Sequence, residues 1–289
     1  MAEAVWCGPG AARVLRRGGR GSVVAAFGGG GYLRLPGGFV LLAPAGSPHG
    51  PLTLIVDRLA APALRAPVAV AGSSLAVEPA RIALTRCVDA DRAVRTSTPD
   101  LAAATGAADG HAARAAARAT AGRTTAAAAR AALAVTPAPP DELRPGIAAL
   151  AAGDDDRAVR LLAGLGDGLT PAGDDVLAGH AAWRWASGNP IGQPGRAITE
   201  RCSPIGLAYL DCARRGELPE FAAALLRAIV AGDARGAARL AGRHGEWGAS
   251  SGAALVWGMA LVWGMTAAAW RVNERPVRRD TTVPGRAAA

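Results

Sequence analysis

Over roughly the first ninety positions, short apolar runs alternate with Gly and Pro clusters, the pattern of closely spaced strands. The runs are SVVAAF (22–27), FVLLA (39–43), LTLIV (52–56), PVAVA (67–71), SLAV (74–77) and RIALT (81–85). Gly28 to Gly31 separate two such stretches. No helical pattern follows them, so they read as a hairpin turn rather than a phosphate-binding loop. After Ser97-Thr98-Pro99-Asp100 the period changes. Residues 101–133 are alanine-rich and favour helix by propensity. TPAPPDELRP (136–145) is a proline-rich joint in which Asp141 is placed to cap a helix. Helical patterns then span 141–152, 154–163, 174–186, 197–215, 218–231, 233–243 and 250–272. The chain therefore predicts an α+β protein: a β-rich N-terminal domain over 1–97, a mainly helical domain over 98–272, and a disordered tail over 273–289.

Composition sharpens this picture. Hydrophobic residues make up 51% of the chain but aromatics only 4%, so the helical core must rest on close approach of small side chains. The formal net charge is +9, and every basic residue is arginine; there is no lysine. A Schiff-base lysine and a P-loop lysine are therefore excluded. The arginines are scattered, without a dense basic helix or interleaved aromatics, which argues against a nucleic-acid partner. Cys7, Cys87, Cys202 and Cys212 form no CxxC pair, so neither a disulfide framework nor a structural zinc site is expected. The N-terminus carries an acid and lacks an apolar signal region, pointing to a cytoplasmic protein. From Ala249 to Trp270 the chain is uncharged, which raises a membrane span. Gly252, Gly258, Gly264 and many alanines favour a buried helix with small residues at its contacts instead, so no membrane partner is expected.

Chemistry concentrates in GLGDGLTPAGDD, Gly164 to Asp175. Gly164, Gly166 and Gly168 leave the backbone free to bend and to approach a ligand. Thr170-Pro171 supplies a helix start, with Asp174 as the alternative cap. A glycine loop running into a helix N-terminus suits an anion, with Gly173 in the first turn. Asp174 and Asp175 oppose a bare phosphate, so other roles open for them: capping, ligating a Mg²⁺ that bridges to phosphate, or accepting from a substrate amide. Gly179, one turn on, leaves space on that face, while His180 points elsewhere and reads as a packing histidine. The GxGxG spacing, with a helical run before it, excludes a dinucleotide fold.

Gly248-Ala249-Ser250-Ser251-Gly252 matches a GxSxG nucleophile elbow in letters only. Helix and loop precede it rather than a strand, and His49, His111, His180 and His244 all come before the serines. Ser250 and Ser251 instead start the last helix, where their hydroxyls can face the ligand of the glycine loop.

GLGDGLTPAGDDVLAG, then Thr199 and Ser203 ahead of LAYLDCARRGELPEF, then ASSGAALVWGM, resemble a bacterial family that includes a subunit of oxamate carbamoyltransferase, from allantoin degradation. The resemblance spans about 164–264, with a fainter echo in GFVLLAPAGSPHGPLTLIV (38–56). It implies an enzyme subunit that works with partner proteins on oxalurate and phosphate, giving oxamate and carbamoyl phosphate. Asp174 and Asp175 become the candidate catalytic groups. Gly164, Gly166, Gly168, Thr170, Gly173, Ser250 and Ser251 become the candidate substrate contacts. The resemblance fixes no cofactor and leaves the metal unknown, with Mg²⁺ the metal that the carboxylates suggest. The chain departs from the family pattern at Asp167 (usually proline), Ala172 (usually serine) and Ala254, where the late motif carries an acid. A non-catalytic assembly or metabolite-binding subunit is the rival reading, and a membrane-associated protein the weaker one.

Overall fold

The computed structural model describes residues 2–85 and 111–260, with backbone alone over 111–121. The N-terminal part is a closed barrel. Its strands are β1 (Ala2–Cys7), β2 (Gly19–Phe27), β3 (Gly30–Leu35), β4 (Gly38–Pro44), β5 (Thr53–Val56), β6 (Pro67–Ala71), β7 (Ser74–Val77) and β8 (Ala80–Ala83), with helix α1 (Pro9–Arg17) after β1. Around the barrel the order is β1-β5-β4-β3-β2-β6-β7-β8. Neighbours pair antiparallel except β4 with β5 and β1 with β8, which are parallel. Closure leaves no unpaired sheet edge.

Alternation decides what points inward. In β6 and β7, Val68, Val70, Leu75 and Val77 are buried between less buried neighbours. They meet Leu33, Leu42, Leu54 and Ile82 in the barrel core, and α1 adds Val14 and Leu15 to it. The β-rich region was predicted; β1, α1 and β3 were not. Glu3 and small residues dilute the apolar signal of β1. The glycine run and Arg34 hide β3, although Gly28-Gly29 does make the predicted turn into it.

The helical part comprises α2 (His111–Val135), α3 (Arg144–Ala151), α4 (Asp155–Leu162), α5 (Ala172–Ala186), α6 (Arg196–Arg201), α7 (Pro204–Ala213), α8 (Glu220–Val230), α9 (Ala234–Ala241) and α10 (Ser251–Ala260). The expected helix over 197–215 is two helices. Pro204 has no N–H to continue α6, and Ser203 caps α7 by accepting from the Gly206 N–H at 2.9 Å. Asp141 does not cap α3; it pairs with Arg144 at 3.2 Å in the preceding turn. The predicted tail over 273–289, residues 101–110 and the continuation of the last helix past Ala260 lie outside the described residues.

Small residues set the helical core, as composition required. α5 and α10 cross backbone to backbone. A Cβ on Gly258 would sit 2.1 Å from the Val176 carbonyl oxygen, and one on Gly179 would sit 2.3 Å from that of Leu255. The space expected beside Gly179 is therefore filled by α10. The barrel and helices meet where the outer face of β3 and β4 lies on α7. There Tyr32, Phe39 and Leu41 pack with Ile205, Tyr209 and Trp247.

Candidate functional site

The glycine loop folds back on the start of α5. Gly164, Gly166 and Gly168 have φ of 76°, 111° and 94°, a region costly for any other residue. Gly173 is fixed by closeness, since its Cβ would lie 2.0 Å from the Leu162 carbonyl oxygen. The helix N-terminus is not left open. The Gly173 N–H donates to the Leu165 carbonyl at 2.9 Å, and those of Asp174 and Asp175 donate to Pro171 at 2.9 and 3.2 Å. The N-cap is Pro171, so neither Thr170 nor Asp174 caps α5. The Thr170 hydroxyl instead meets that of Ser251 at 3.1 Å.

The paired aspartates have different tasks, although both are buried. Asp174 accepts from the Gly164 N–H through Oδ1 at 2.7 Å and from the Ser203 N–H through Oδ2 at 2.8 Å. It thereby ties the loop and the start of α7 to α5. Only glycine fits beside it, because a Cβ on Gly206 would lie 2.3 Å from Oδ2. Asp175 faces the other way, into a cavity, and its Oδ2 has no hydrogen-bond partner among the described residues. Burial pushes its carboxyl up to about 8, with Asp174 adding to the effect and the nearby Ser251 hydroxyl opposing it. At neutral pH Asp175 therefore holds a proton.

The cavity, about 330 Å³, lies between the barrel and the helices. The barrel lines it with Phe27, Gly28, Gly30, Tyr32, Leu41, Ala43 and Pro44, and the β4–β5 connection adds Ser47 and Pro48. The helical part contributes Thr170, Asp175, Tyr209, Glu246, Trp247, Gly248 and Ser251. The Tyr32 and Tyr209 hydroxyls stand 3.1 Å apart. Burial raises both phenols, that of Tyr32 up to about 12, so both stay protonated. Glu246 is matched by Arg243, whose guanidinium donates to it at 2.8 to 3.1 Å. Among the described residues no arginine lines the cavity.

Of the predicted site residues, Thr170, Asp175 and Ser251 come together in this cavity. Gly164, Gly166, Gly168, Gly173 and Asp174 form its support and are not in its lining. Ser250 starts α10, its carbonyl accepting from the Ala254 N–H at 3.0 Å, and is exposed outside the lining. His180 packs in α5 with Nε2 3.4 Å from Asp155, and burial lowers its pKa against the pull of that carboxylate. Ala254 is fully buried one turn after Ser251. A Mg²⁺ held by both aspartates does not match this arrangement, because Asp174 turns its oxygens to the Gly164 and Ser203 N–H groups while Asp175 faces the cavity. No group of three or more His, Cys, Asp or Glu among the described residues could hold a metal ion. No helix among them is long and apolar enough to cross a membrane; the uncharged run to Trp270 lies partly outside them.

The barrel's share of the cavity, above all the tyrosines, lies outside the residues that the sequence singles out. A signal existed, since the chain has only two tyrosines and both line this space.

Residues 162–263 match the family model described as oxamate carbamoyltransferase subunit AllH. That segment runs from the end of α4 through the glycine loop and α10, and it supplies every cavity residue from the helical part. No curated protein and no solved structure matches the chain.

Proposed function

We propose that the chain is a subunit of a carbamoyltransferase-type enzyme of nitrogen-compound catabolism, working in the cytoplasm with partner protein subunits. Its cavity between barrel and helices is the small-molecule site. The reaction is the transfer of a carbamoyl group from oxalurate to phosphate, giving oxamate and carbamoyl phosphate. A phosphate oxygen attacks the terminal ureido carbon, the bond from that carbon to the bridging nitrogen breaks, and the nitrogen takes a proton as oxamate leaves.

One observation carries the reading. Within the segment that matches the carbamoyltransferase subunit family, Asp175 lines a cavity with an unpartnered oxygen and holds its proton at neutral pH. A carboxyl that titrates near working pH suits proton transfer to a leaving nitrogen and recovery of the proton from the incoming phosphate. Tyr32, Tyr209, Thr170 and Ser251 are hydroxyls placed to orient the ureido group. Asp174 is a positioning residue, acting through Gly164 and Ser203.

The rival, a non-catalytic assembly or metabolite-binding subunit, is favoured by the lack of a cation among the described lining residues. The two separate in one assay. The chain, alone and with candidate partner subunits, is measured for carbamoyl phosphate formation from oxalurate and phosphate. Asp175→Asn is expected to lower the rate by about 10²–10⁴, the range for a lost general acid or base. Full activity in both Asp174→Asn and Asp175→Asn would sink the catalytic role.

A further inference from the structure

We infer that this cavity recognises the uncharged amide or ureido end of its ligand and leaves the anionic end to groups outside it. The inference rests on the cavity being the ligand site, and it adds which part of the ligand enters.

The polar groups come in pairs. Tyr32 and Tyr209 share one hydrogen bond at 3.1 Å, and Thr170 and Ser251 share another at 3.1 Å. The tyrosine pair spends one proton internally and keeps one, while the Ser251 hydroxyl also acts on Asp175, and both pairs keep unused lone pairs. Asp175 adds an oxygen that is buried and unpartnered. The cavity thus offers donors and acceptors side by side, the complement of a group that carries both C=O and N–H. Phe27, Leu41, Ala43 and Pro44 make the rest of the wall apolar, which suits a neutral group.

Charge points the same way. The ionisable carboxyls in the lining are Asp175 and Glu246, and Arg243 near the rim is already paired with Glu246. A phosphate or carboxylate seated wholly inside would lose its hydration without meeting a cation among the described lining residues, so the attacking phosphate meets the ureido carbon from the mouth of the cavity. Cationic side chains are plentiful but gather elsewhere. Arg13, Arg16, Arg17 and Arg215 line a separate cleft between α1 and α7 that shares no residue with the cavity.

The test is calorimetric titration of the full chain with biuret, a neutral molecule with ureido ends, and with inorganic phosphate. Biuret is expected to bind, and phosphate to neither bind in the cavity nor displace it. Tyr32→Phe and Asp175→Leu should each weaken biuret about tenfold, the scale of one lost hydrogen bond with its buried partner left unmatched. Circular dichroism checks that each variant is folded, and Ser251→Ala serves if one is not. Displacement of biuret by phosphate would overturn the inference while keeping the cavity as the site. Absence of biuret binding, or binding that ignores all these variants, would overturn it as well. If Asp175→Leu still abolished carbamoyl transfer by the assembled subunits, the proposed function would survive that failure.

Discussion

The barrel and the helical region solve the same packing problem with different materials. Barrel strands fill their interior with Leu, Val and Ile side chains, and the sheet closes on itself. The helical region mixes large side chains with many alanines, and at the crossing of α5 and α10 the two helices meet through Gly179 and Gly258, with carbonyl oxygens where side chains would be. Side chains can change rotamer to absorb a new volume; a backbone carbonyl held in a helix cannot. The cavity inherits both properties. Its barrel wall is apolar and supported by a closed sheet, while its one buried acid rides on α5, whose position depends on a contact with no slack.

The contrast breaks most visibly at Gly258. In a helix Gly→Ala ordinarily stabilises by about 1 kcal/mol. Gly258→Ala should instead cost about 3 kcal/mol in urea unfolding, because the new Cβ meets the Val176 carbonyl. Leu75→Met in the barrel core should cost less than about 1.5 kcal/mol in the same measurement. Equal losses would remove the distinction between the two cores.

Asp174→Ala comes next, at about 2–3 kcal/mol, since it strands the Gly164 and Ser203 N–H groups. Asp175→Asn is expected to act in the opposite direction and with pH. The native carboxyl keeps its proton up to about 8, whereas an unfolded aspartate releases it near the ordinary value of 3.8. Between these values the native state binds more protons than the unfolded state, so wild-type stability falls as pH rises through this window. The asparagine variant lacks that loss. Its unfolding midpoint should gain on the wild type from pH 5 to pH 8, by on the order of 1 kcal/mol per pH unit, and level off above. A gap that stays constant with pH would mean that Asp175 is ionised in the folded protein.

Much of the architecture was legible because it is written in local pattern. Runs such as PVAVA and SLAV coincide with β6 and β7, and the helix entered at Asp154 was placed to within a residue or two. Closure of the barrel was not legible. It needs β1 to pair with both β5 and β8, contacts distant in sequence that no run of residues announces. At the site, the segment Gly164 to Asp175 stood out, but glycine composition does not say whether a loop opens to a ligand or wraps onto its own helix. Here it wraps. Nor does an Asp-Asp pair reveal that successive residues at a helix start face different neighbours, one toward the N–H groups of Gly164 and Ser203, the other toward a cavity. Tyr32 escaped notice because it sits on the outer face of a strand, a position that is buried only once α7 covers it.

The two hydrogen bonds of Asp174 carry a kinetic corollary. Gly164 and Ser203 are distant in the chain, yet one carboxylate holds both amides. Opening that releases one proton to solvent disturbs the acceptor of the other. In hydrogen exchange the two amides should therefore behave as a correlated pair, and their shared rate reports how often the floor beneath Asp175 comes apart.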